Sequence, residues 1–165
     1  MADKKETRNA EFYFDKLSSK LPDRRLLYNF AIFTDSGQEF HDEEAFLLWN
    51  ITNIARRVLS DIAWLSGLAI QPGSYYDRIL HTRLKEKELL GRLQKVIDDL
   101  VNLSTELDLA RTVAERYDGP ALLAVIKKAV NAFAASDKET SAILKAISKE
   151  TKEEAEREKK NQYIG

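Results

Sequence analysis

Residues 89–117 read LLGRLQKVIDDLVNLSTELDLARTVAERY, and their spacing decides the fold. Leu89, Leu93, Val96, Leu100, Leu103, Leu107, Ala110, Ala114 and Tyr117 recur at alternating steps of four and three. That alternation returns an apolar side chain to one face of an α-helix on every turn. Leu90, Ile97, Val101 and Val113 widen the stripe, which suits the interior of a bundle better than a two-stranded coil. From Tyr75 to Tyr117 there is no proline and Gly91 is the one glycine. The pattern therefore predicts a single helix over 75–117, roughly 60 Å long at 1.5 Å per residue. Its first third, Asp77 to Glu88, offers only Ile79, Leu80 and Leu84, so that end is expected to project or to be covered by a partner.

Working outward, stop and start signals frame the neighbouring helices. Gln71-Pro72-Gly73 interrupts the chain, and Ser74 with Asp77 three residues on forms a capping-box pair. Before it, a helix is expected from His41 or Asp42 to about Ala69, with Asp42, Glu43 and Glu44 placing negative charge on its positive N-terminal end. Asn9 to Lys20 reads as a short helix carrying Phe12, Tyr13, Leu17 and Leu21. Pro22 fits the first turn of another, with Leu26, Leu27, Phe30, Ile32 and Phe33, stopped by Thr34-Asp35-Ser36-Gly37. Downstream, Gly119 supplies a left-handed cap and Pro120 opens a helix to about Ala135, with Leu122, Ile126, Ala129, Val130 and Phe133 on one face. Ser136-Asp137-Lys138-Glu139 reads as a second capping box, starting a last helix with Ile143, Leu144 and Ile147. The fold class is all-α: a helical bundle of about five or six helices with one long central helix. Residues 1–8 are expected to be disordered, 9–148 to form the bundle domain, and 149–165 to be a charged helical or frayed tail.

Composition agrees and excludes much chemistry. Among 165 residues there are 6 glycines and 3 prolines, too few turn residues for a loop-rich or all-β fold. Lys+Arg at 26 against Asp+Glu at 27 gives a net charge of −1, with no long-range pull toward nucleic acid or an anionic membrane. The absence of cysteine removes disulfides, iron–sulfur clusters, thiolate zinc sites and cysteine nucleophiles. The N-terminus is polar, so no signal peptide is expected. The longest nearly apolar run, Ile62 to Ile70, is about half of what a bilayer span needs. No membrane association is expected, and cytoplasmic residence is the default.

No catalytic, cofactor or metal site is read. Bundle di-iron sites use Glu-x-x-His pairs, but the residues three before His41 and His81 are Gln38 and Arg78. Asp98, Asp99 and Glu106 flank the long seam, as solvated carboxylates on a helix usually do. No glycine-rich phosphate loop and no nucleophile elbow is present.

One surface stands out. At 100° per residue, Leu47, Ile51, Ile54, Ala55, Val58, Ile62 and Leu65 form the core stripe of the 42–69 helix. Phe46, Trp49 and Trp64 fall on its far side, with Asn53, Arg56, Arg57 and Ser60 between them. Such an aromatic–arginine surface resembles a protein interface hot spot. The leading expectation is a non-enzymatic helical subunit or adaptor acting through protein–protein contacts, in an oligomer or a larger complex. The alternative is a small subunit of a nucleic-acid-binding, ribonucleoprotein complex, with Arg56, Arg57, Lys127 and Lys128 as the phosphate contacts.

Overall fold

The computed structural model describes residues 7–28, 30, 37–113 and 118–162, with the backbone alone at 28 and 149–162. The protein is an all-α bundle. Its elements in chain order are β1 (Arg8–Asn9), α1 (Ala10–Lys16), α2 (Arg24–Tyr28), β2 (Glu39–Phe40), α3 (Glu43–Ala69), α4 (Tyr75–Glu86), α5 (Leu90–Thr112) and α6 (Gly119–Gln162).

Helices α3, α5 and α6 pack on one another as the core. On one edge, Leu48 and Thr52 of α3 lie beside Asp108, Arg111 and Thr112 of α5. On another, Arg92 of α5 pairs with Glu139 of α6 and Glu106 with Lys128. Helix α5 thus runs antiparallel to both neighbours. The seam read from the sequence is the buried face of α5: Leu89, Leu93, Val96, Leu100, Leu103, Leu107 and Ala110 are all buried, as is Ile97. Val101 is exposed, so the stripe is narrower there than its sequence implies. Ala114 and Tyr117 lie outside the described residues.

The single helix expected over 75–117 is two helices, α4 and α5, broken at Lys87–Leu89. Glu88 adopts φ +55°. The Leu89 amide donates to the Leu84 carbonyl at 2.9 Å and the Glu88 amide to Lys85 at 3.1 Å. These two bonds make a Schellman motif, usually built on glycine, with buried Leu84 and Leu89 as its apolar contact. The start of α4 matches expectation: the Asp77 amide donates to Ser74 Oγ at 3.0 Å and the Ser74 amide to Asp77 Oδ2 at 3.1 Å. Asp42 likewise caps α3, accepting from the Ala45 amide at 2.8 Å.

The two helices expected over 120–148 are one. α6 spans 44 residues without interruption through Ser136. Ser136 does not cap, because the backbone ladder continues and Glu139, its would-be partner, is engaged by Arg92 of α5 at 2.8 Å. Asp118 opens the helix by accepting from the Ala121 amide at 3.0 Å. Gly119 is the first helical residue, so it is not the left-handed cap expected of it.

At the N-terminal end, β1 and β2 form a short antiparallel ladder, Arg8 opposite Phe40 and Asn9 opposite Glu39, that the sequence did not announce. Thr7 Oγ1 also donates to the Glu39 carboxylate. Residues 1–6 of the expected disordered segment lie outside the described residues, as do Ile32, Phe33 and Thr34–Ser36. Helix α2 starts at Arg24 rather than at Pro22, with Asp23 Oδ1 accepting from the Arg25 amide at 2.7 Å.

Candidate interaction surface

The far face of α3 divides at its middle. Asn9 caps α1 by accepting from the Phe12 amide at 3.0 Å, which aims Tyr13 and Phe14 at α3. There, Tyr13 stacks on Phe46 with centroids 5.4 Å apart, and Phe14 meets the same ring edge-on at 4.9 Å. Phe40, delivered by β2, lies 5.5 Å from Phe46 and 5.3 Å from Trp49. Phe46 is 0 % exposed, Trp49 is half-buried and Asn53 is buried. These three were expected on an open surface. Phe46 and Trp49 are instead part of an aromatic core, because α1 and β2 cover the first half of α3, and Asn53 is buried as well. Sequence periodicity on α3 alone carries no sign of that cover; the cluster Phe12-Tyr13-Phe14 was the available signal.

Past Asn53 the cover ends. Arg56, Arg57 and Ser60 are exposed, and Trp64 is 48 % exposed. Arg57 Nε pairs with Asp61 at 3.3 Å, one turn on. Together with Trp64 they line a shallow groove of about 280 Å³ against α6, whose side is built from Phe133, Ser136, Asp137 and Thr140. Burial raises the Asp61 carboxyl above its ordinary value; Arg57 pulls it back down, and the facing Asp137 adds to the rise. Beyond this groove, Ile70, Tyr75 and Tyr76 stand exposed where α3 gives way to α4, Tyr75 at 77 %.

The four basic candidates do not form one row. Arg56 and Arg57 lie on α3, while Lys127 and Lys128 lie on α6, with Lys128 tied to Glu106 of α5 at 2.8 Å. A second, larger groove of about 590 Å³, which helical periodicity does not announce, lies between α5 and α6 and is lined by Val96, Leu103, Ala132 and Ala135 together with Lys95, Asp99 and Asn102. Among the described residues, no group of three or more His, Cys, Asp or Glu side chains gathers as a metal site would require. His81 is half-buried, its Nδ1 donating to the Leu68 carbonyl at 3.0 Å, which ties α4 to the end of α3. No helix among the described residues is long and apolar enough to cross a membrane.

No family model matches the chain, and no solved structure does. A tRNA-2-methylthio-N(6)-dimethylallyladenosine synthase of Parabacteroides distasonis is similar, 33 % identical over 108 residues. The match takes in 66 % of this chain, which spans only 23 % of that protein's length.

Proposed function

We propose that this protein is a non-enzymatic helical subunit or adaptor of the cytoplasm that works through protein–protein contacts in a larger complex. The observation that carries the reading is the uncovered outer face of α3 past Asn53. Trp64, 48 % exposed, stands beside the Arg57–Asp61 pair, and the exposed Ile70, Tyr75 and Tyr76 follow within twelve residues. An exposed indole flanked by an arginine is the composition that dominates interface energetics, where the aromatic buries its body and the guanidinium satisfies the rim. The test is a partner that co-purifies stoichiometrically with the full chain and rebinds it as an isolated component. Trp64→Ala is expected to weaken that rebinding about tenfold or more while helicity and melting temperature stay unchanged. Rebinding that survives Trp64→Ala intact overturns the role given to this surface.

A second reading has one observation in its favour: the similar protein from Parabacteroides distasonis is named for a tRNA modification. In that reading Arg56, Arg57, Lys127 and Lys128 meet phosphates. It is the weaker of the two, because Arg57 and Lys128 already neutralise Asp61 and Glu106. Binding to tRNA that weakens steeply with salt, and falls further on changing Arg56 and Lys127 to Ala, is its expected sign; no binding at low salt removes it.

A further inference from the structure

The α5–α6 face presents a groove with an unusual charge layout. At one end stand Arg92 on α5 and Glu139 on α6, paired at 2.8 Å. At the other stand Glu106 on α5 and Lys128 on α6, also paired at 2.8 Å. Each helix therefore carries one sign at one end and the opposite sign at the other, and the two helices carry them in opposite order. Between the two pairs lie the apolar Val96, Leu103, Ala132 and Ala135, with Lys95, Asp99 and Asn102 of α5 beside them. Ala132 and Ala135, with short side chains, leave the groove open between the two helices. The groove continues past Lys128 into an apolar stretch with Leu107, Ala124 and Val125, where Leu109 is 58 % exposed.

From this layout we infer that the α5–α6 face is where a second copy of this chain docks, closing an isologous dimer about a two-fold axis. A two-fold axis lying in the face, along the helices or across them, lays each positive corner over a negative one. The face is thus complementary to itself, the condition a two-fold interface must meet. Because every corner charge already has a partner within its own chain, exchanging partners adds little; what association adds is removal of the groove floor and Leu109 from water. From Arg92 to Leu109 the face is roughly 25 Å long and two helices, about 20 Å, wide. That is about 500 Å² per chain, at the low end of specific interfaces, so a concentration-dependent dimer follows rather than a permanent one. The pairing deepens the reading as a contact-mediating subunit and rests on it, while using a different face from Trp64.

Sedimentation equilibrium of the full chain decides it. The mass is expected to rise from the 18.9 kDa of one chain toward two chains between about 1 and about 100 µM. Ala135→Glu, which puts a charge on the groove floor at an exposed position, is expected to weaken the dimer at least tenfold. Leu109→Lys is expected to do the same. Ala134→Glu, one residue away on α6 but outside the groove, is expected to leave it unchanged, and circular dichroism confirms equal helicity in each variant. Trp64→Ala is expected to leave the dimer intact, which separates this contact from the one proposed for α3. A wild-type chain that stays single throughout the range overturns the inference, as does equal weakening by Ala134→Glu and Ala135→Glu or assembly beyond two chains.

Discussion

Position 88 places a glutamate in the left-handed region, at φ +55°. For an L-residue with a side chain this costs roughly 1–2 kcal/mol, partly balanced by the greater chain entropy that glycine loses on folding. Glu88→Gly is therefore expected to raise stability by about 0.5 kcal/mol, seen as a higher urea midpoint at constant slope. A lower midpoint contradicts the strain argument. The two tryptophans make a sharper contrast. Trp49 sits among Phe40 and Phe46, so Trp49→Ala is expected to cost about 3 kcal/mol. Trp64→Ala, on an exposed face, is expected to stay within about 0.5 kcal/mol. Helical periodicity places both on the same side of α3 and does not separate them, because what differs is the cover supplied by residues far away in the chain.

Elements were more legible than their ends. The steps of four and three within 89–110 translate directly into buried positions of α5. The break before it was the harder feature. Lys85 to Glu88 are strong helix formers with no Gly or Pro, so nothing local stops the helix. Yet Leu84 to Leu89 is a step of five, out of phase with the alternation that follows, and that jump is where the chain turns. Ser136 is the opposite case. Local chemistry read as a cap, but Leu122, Ile126, Ala129, Phe133, Ser136, Thr140, Ile143 and Ile147 keep one unbroken alternation of four and three. Phase, which reports tertiary packing, outranked the cap motif. The substitution Ser136→Ala tells the two apart by sign. In a helix interior it is expected to stabilise by about 0.5 kcal/mol, whereas loss of a true N-cap costs about 1 kcal/mol.

At the scale of the whole molecule, titration of Asp61 opposes that of the other shifted carboxylates. Hydrogen bonds to Ser74 hold Asp77 below its ordinary value, and the bond from Arg92 does the same for Glu139. Each supplies stability that is present above its unfolded value and lost as pH falls through the folded one. Asp61 is raised from 3.8, so the folded state holds its proton more tightly than the unfolded state does. Its contribution therefore declines as pH rises from the unfolded value to the folded one. Relative to wild type, Asp61→Asn is expected to gain stability as pH increases from about 3 to about 6, followed by urea unfolding across that range. A difference that does not change with pH contradicts the burial of this carboxyl between Arg57 and Asp137.

The uneven cover of α3 also sets how its backbone opens in time. Phe46, Leu47, Asn50, Ile51, Asn53, Ile54 and Ala55 are buried and Leu48, Trp49 and Thr52 half-buried between them, while between Arg56 and Trp64 only Val58 is buried. Amide protons of the first stretch are expected to exchange with solvent only when the molecule unfolds globally, and those around Ser60 through smaller, more frequent openings. One uninterrupted helix thus has a slow stretch and a fast one, and the fast one is the stretch whose outer face is left open for contact.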